Sequence, residues 1–69
     1  MALKAKIHWR LREYMADGTQ VTYLTQHPSL VGAASTAAFT LVTQPHCVKV
    51  VIIRHERGEQ PRRVGEIKA

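Results

Sequence analysis

Leu3-Lys4-Ala5-Lys6-Ile7-His8-Trp9-Arg10-Leu11-Arg12 alternates apolar and basic residues without a break. Successive side chains of a β-strand point to opposite faces, so the stretch reads as a half-buried strand. Leu3, Ala5, Ile7, Trp9 and Leu11 form its apolar face. Lys4, Lys6, His8, Arg10 and Arg12 form the other, a row of cations broken by one histidine. Downstream, Ala16-Asp17-Gly18-Thr19 holds the Asp-Gly pair that favours hairpin turns. Gln20 to Gln26 is rich in strand formers and is the expected return arm.

His27-Pro28-Ser29 changes the pattern. Proline suits the first helical position and cannot sit in a central strand, so a helix is expected here. Between Ser29 and Thr43, the residues Leu30, Ala34, Ala37 and Leu41 follow the spacing of one helical stripe. Gln44-Pro45 stops the helix, because the residue before proline is driven out of the helical region. Cys47 to His55 contains Val48-Lys49-Val50-Val51-Ile52-Ile53, which is too short and too branched to favour helix. Gly58 to Pro61 reads as a turn or linker. Residues 62–69 read as a basic tail or as a short edge strand through Val64 and Ile67.

The expected fold is α+β: a small two-layer ββαβ core domain over residues 1–57. It has a three-stranded antiparallel sheet in the order 2-1-3 and one helix on one face. Residues 58–69 add either the tail or a short fourth strand. A rival reading makes the opening segment helical, since Leu3, Ile7, Leu11, Tyr14 and Met15 also fit a helical stripe, with Gly18 as its C-terminal cap. That pattern resembles the opening helix of Cro-like helix-turn-helix repressors. The strand reading is preferred, because Trp9 and Ala5 lie off the helical stripe and Thr19 to Gln26 is strand-like.

The 69 residues make one domain, and a chain of this size buries only about 60% of its unfolded surface. A single cysteine, Cys47, rules out an intramolecular disulfide and suits a reducing cytoplasm. The longest unbroken apolar runs fall far short of the roughly 20 residues of a spanning helix, and no secretory leader is recognisable. Ten Lys and Arg against five Asp and Glu leave a formal charge of +5, which favours anionic partners.

Catalytic and metal chemistry find no support in these residues, and no cofactor is expected. His46 and Cys47 are neighbours on a strand and face opposite ways, so they form no dyad. His8, His27, His46 and His55 show no paired ligand spacing, although folding could bring His8 and His55 together. Gly18, Gly32, Gly58 and Gly65 are too scattered for a phosphate-cradling loop. Paired-carboxylate chemistry is not expected either, with no acid assigned to a pocket. The chain is expected to bind rather than to catalyse.

Two contact surfaces stand out. The first is the basic strand face, Lys4, Lys6, His8, Arg10 and Arg12, with Arg54, Arg57, Arg62 and Arg63 as its extension. One helix covers one face of a sheet, which leaves this row open to an acidic protein surface or to nucleic acid. An ordinary solvated face with lysines that discourage aggregation explains the same row without a partner. The second is the helix back. Between Tyr14 and Val48 the only charged residue is Asp17, so the helix carries no charge at all. Phe39, flanked by Gly32, Ser35, Thr36 and Thr43, then reads as a docking face, with a homodimer as the simplest case.

The strand–hairpin–strand–helix–strand order over residues 3–57 resembles small phage-encoded host-takeover proteins, such as the T7-type inhibitor of host RNA polymerase and some anti-CRISPR proteins. The likeness is one of organisation, without a shared motif, so no residue role is carried over. It implies a compact protein, encoded by a phage or mobile element, that blocks a macromolecular host partner by docking.

Overall fold

The computed structural model describes residues 6–69, so Leu3, Lys4 and Ala5 of the opening alternation lie outside the described residues. The elements run β1 (Ile7–Met15), β2 (Gln20–Thr22), α1 (Leu30–Thr43), β3 (Cys47–Glu56) and β4 (Arg62–Lys68). All four strands join one antiparallel sheet in the order β2-β1-β3-β4. The fold is therefore α+β, with the alternating strand and the β-branched strand at the centre. Among the described residues the opening segment is strand, not helix, from Ile7 to Met15.

Alternation in β1 sets the two faces. Leu11 is buried, with Trp9 and Met15 packed beside it, and these odd-numbered residues meet the helix. The register pairs Leu11 with Ile52 and Glu13 with Val50, so Ile52 and Val50 join them on the helix side. His8, Arg10, Arg12 and Tyr14 point the other way. From α1, Ala33 and Ala37 are fully buried, and their small side chains let the helix lie close to the strands. The buried stripe centres one residue away from the expected one, since Ala33 is covered while Leu30 remains 46% exposed. The helix packs on β3 and β1, more lightly on β4, and makes no comparable contact with β2.

Local signals explain the ends. Asp17 accepts hydrogen bonds from both the amide (2.9 Å) and the hydroxyl (2.7 Å) of Thr19, and Gly18 takes a φ of +91°. Those bonds close the first hairpin, and the Thr19 contacts hold the Asp17 carboxyl below its usual value. Ser29, in extended conformation, caps α1 by accepting from the Gly32 amide at 3.0 Å. Pro28 therefore sits just before the cap rather than at the first helical position. Threonine is a modest helix former, yet Thr36, Thr40 and Thr43 each donate a hydroxyl to the carbonyl four residues back.

One segment differs from expectation, and another resolves an open alternative. The return arm is short: after Thr22 and the Tyr23 amide, which donates to the Leu11 carbonyl, the chain leaves the ladder. It rejoins only at His27, whose backbone exchanges two hydrogen bonds with Trp9. The C-terminal segment takes the strand alternative: Arg62–Lys68 forms an edge strand along β3. A register shift at Ile52/Ile53 leaves Val64 unpaired, and another between Tyr14 and Met15 leaves Val48 unpaired opposite β1.

The close helix–sheet contact predicts that Ala37→Leu destabilises the fold by about 1–3 kcal/mol through overpacking. Ser29→Ala should cost about 1 kcal/mol through the lost cap. Urea unfolding followed by circular dichroism measures both. An Ala37→Leu variant as stable as the parent would contradict the packing described here.

Candidate functional site

The sheet face away from α1 is a mosaic of cations over an apolar floor. In register across the strands lie Tyr14, Lys49 and Lys68; then Arg12, Val51 and Glu66; then Arg10, Ile53 and Arg63; then His8 and His55. Val51 and Ile53 are only 2% and 8% exposed although no helix lies over them. Arg10, Arg12 and Arg63 are their register neighbours, and arginine stems can cover apolar surface. The Nε of Arg10 is itself buried without a hydrogen-bond partner. A cleft of about 270 Å³ opens here, lined by Arg12, Tyr14, Val51, Ile53, Pro61 and Arg63.

Glu66 is the one carboxylate in these rows. Burial pushes its pKa up, but Arg63, Lys49 and Lys68 together with the Arg63 hydrogen bond outweigh that and hold it below its usual value. Lys49 also sits over the Tyr14 ring, 4.5 Å from its centroid, and Arg12 Nε donates to the Thr22 hydroxyl at 2.9 Å. Five cations (Arg10, Arg12, Lys49, Arg63 and Lys68) thus share the face with one acid.

Of the residues expected on this face, His8, Arg10 and Arg12 are there. Lys6 is exposed at the edge of β1, and Lys4 lies outside the described residues. The extension divides. Arg63 joins the face, but Arg54 pairs with Trp9 and Arg62, which puts Arg54 and Arg62 on the helix side of the sheet. Arg57 lies in the β3–β4 turn, its amide bonded to the Lys6 carbonyl. Lys49 and Lys68 were not anticipated. Their placement follows from the register shift at Val48 and from the pairing of β4.

The helix back also divides. Gly32 is half-buried, whereas Ser35 is exposed, and Val31 and Val42, 77% and 84% exposed, form the outermost row with it. Thr36, Phe39 and Thr43 instead turn toward a groove of about 290 Å³ beside β2, whose sheet side is formed by Leu11, Glu13, Tyr23, Thr25 and His27. Glu13 had no place among the expected site residues. It continues the β1 alternation onto the helix side and is 3% exposed. A hydrogen bond to Glu13 raises the Tyr23 pKa, with burial and the Glu13 charge adding to the effect. No acid was expected at a pocket, and Glu13 overturns that expectation.

Metal chemistry gains nothing from the geometry: among the described residues no three His, Cys, Asp or Glu side chains cluster. Cys47 is buried as a free thiol on the core side. No helix in residues 6–69 is long and apolar enough to cross a membrane. The chain matches no known family model, no curated protein and no solved structure.

His8 and His55 do come together, stacked with centroids 5.0 Å apart and planes within 3°. The Nε2 atoms of both rings are buried without a hydrogen-bond partner. Burial first, then the Arg10 guanidinium, holds both imidazoles below the ordinary value of 6.5, and His8 adds to the effect on His55. As the pH falls through 6.5 the unfolded chain therefore takes up protons before the folded one, and stability declines until the folded rings protonate. The urea midpoint should be lower at about pH 5.5 than at about pH 7.5. A His8→Gln, His55→Gln double variant should show a clearly smaller drop. An equal drop would assign the response to other groups.

Proposed function

We propose that this protein is a non-enzymatic binding protein that docks on an acidic macromolecular partner and inhibits or modulates it through the open sheet face. One observation carries the reading: Arg10, Arg12, Lys49, Arg63 and Lys68 crowd a face that no element of the described chain covers, with Glu66 as their one counter-charge. Like charges this close repel, and an acidic surface relieves the repulsion while steering the encounter. The cleft between Arg12 and Arg63 offers guanidinium donors to a carboxylate and the Val51–Ile53 floor to an adjoining apolar group. The likeness in organisation to phage-encoded takeover proteins supports the same reading. An origin in a phage or mobile element, action in the cytoplasm and a two-layer ββαβ unit as the docking scaffold belong to it.

The probes are a labelled acidic polypeptide (polyglutamate) and random-sequence duplex and single-stranded DNA, read by anisotropy from about 50 to 200 mM salt. The parent protein should bind polyglutamate. Arg10→Glu with Arg12→Glu should abolish binding while circular dichroism stays unchanged. Equal binding by that variant would remove the face from the function. Tighter binding of DNA, falling steeply with salt, would make the partner nucleic acid, through phosphate neutralisation.

A second reading, self-association through α1, is favoured by Val31, Phe39 and Val42, which are 77%, 67% and 84% exposed on an uncharged helix. Sedimentation velocity should then show a dimer that Val31→Glu with Val42→Glu converts to monomer. A parent protein that stays monomeric at about millimolar concentration, weaker than any stable dimer requires, would end this reading.

A further inference from the structure

We propose that the groove between α1 and the β1–β2 side of the sheet binds a small organic cation, a primary ammonium or guanidinium group on an aliphatic stem, with Glu13 as its counter-ion. Because α1 packs over β3 and β1 and leaves β2 uncovered, a space of about 290 Å³ remains beside β2. That size falls at the lower end of small-ligand sites. Glu13 lines this space and is only 3% exposed, so its carboxyl group is held almost wholly away from bulk water. A carboxylate so placed is costly unless it is paired. Among the described residues no lysine, arginine or histidine forms an ion pair with it. The Tyr23 hydroxyl interacts with it and supplies a neutral donor and no charge.

The surroundings select for a cation with an apolar stem. No lysine or arginine lines the groove, and the helix forming one wall carries no charge. Of the strand cations, Arg10, Arg12, Lys49, Arg63 and Lys68 lie on the opposite face of the sheet, and Arg54 and Arg62, on the helix side, do not line the groove. Leu11 and Phe39 provide apolar contact, and the aromatic rings of Phe39 and Tyr23 attract cations through their π faces. Thr25, Thr36, Thr40 and Thr43 add hydroxyls, but Thr36, Thr40 and Thr43 already donate theirs to helix carbonyls. Those oxygens are left free to accept from N–H groups of the ligand.

The test is amide NMR titration of the whole chain with agmatine, n-butylamine and, as the uncharged control, n-butanol. Agmatine and n-butylamine should give saturable shifts confined to the groove, and n-butanol should not. Glu13→Gln keeps the shape and removes the charge, and should weaken agmatine by at least about tenfold. Phe39→Ala provides a second variant on an exposed rim residue, with an expected loss of several-fold. Arg10→Glu with Arg12→Glu should leave agmatine binding unchanged, so failure of the basic-face reading and failure of this one are told apart. A blocked tripeptide with a central arginine tests the other source of the same chemistry. Binding of that peptide with none of agmatine or n-butylamine would overturn the small-ligand assignment. Absent saturation, equal shifts with n-butanol, or undiminished binding by both Glu13→Gln and Phe39→Ala would overturn the site itself.

Discussion

The contact between Ala33 and Ala37 of α1 and the strand residues Leu11, Val50 and Ile52 is the constraint on which the rest depends. Two fully buried alanines bring the helix backbone close to the sheet, and that closeness decides which strands it covers. It covers β3 and β1 and leaves β2 bare. One packing choice therefore makes the groove over Glu13 and fixes which side of the sheet stays open. A bulkier residue at either alanine would lift the helix and blur both surfaces at once. The core is correspondingly small, as expected when a 69-residue chain without a disulfide must close a four-stranded sheet.

On the far face, stability and binding use the same side chains. Val51 and Ile53 need cover, and the stems of Arg12, Arg10 and Arg63 are the nearest material in register. Arginine suits both demands, because its methylenes can shield the floor while its guanidinium keeps a charge at the surface, although at Arg10 the Nε is buried and unpaired. Glu66 offsets part of the resulting repulsion by meeting Arg63, Lys49 and Lys68 together. At the far end of the same face no carboxylate accompanies His8, Arg10 and His55 in register, and burial followed by the Arg10 charge holds both imidazoles below their ordinary value. The acid sensitivity expected of this end of the face comes from burial of the two rings and from the Arg10 charge beside them.

The period-two signal in residues 7–12 made the central strand, its two faces and the 2-1-3 part of the sheet legible, since nothing else explains that alternation. Residues 62–68 were less legible. Arg62, Arg63 and Gly65 are not strand formers, and the unpaired Val64 breaks the alternation, so pairing with β3 makes this strand. The bulge at Val48 likewise hides which β3 residues face the helix, which is why Arg54 was placed on the wrong side. Leu24 to Gln26 read as strand by composition, but the chain leaves the ladder there and Leu24 is 79% exposed. Glu13 was hidden by the ordinary expectation that charge points outward, although the alternation, carried one step beyond Arg12, puts it inside.

The two faces of the sheet share the same central strand, and this couples them physically. Residues 10, 12 and 14 of β1 point to the basic side while 11, 13 and 15 point to the helix. A carboxylate at position 13 therefore stands one pleat away from Arg12, on the opposite side of the backbone. It can lower the field of the arginine row without entering an ion pair with it. A negative charge at this position would temper the repulsion among Arg10, Arg12 and Arg63 through the sheet. Replacing Glu13 by an apolar residue would fill the core better and leave the basic face less compensated. Burying an acid beneath a basic face is costly for a domain with so small a core. The same carboxylate lines the groove beside β2, so the cost of burying it and the opening that reaches it meet at one residue.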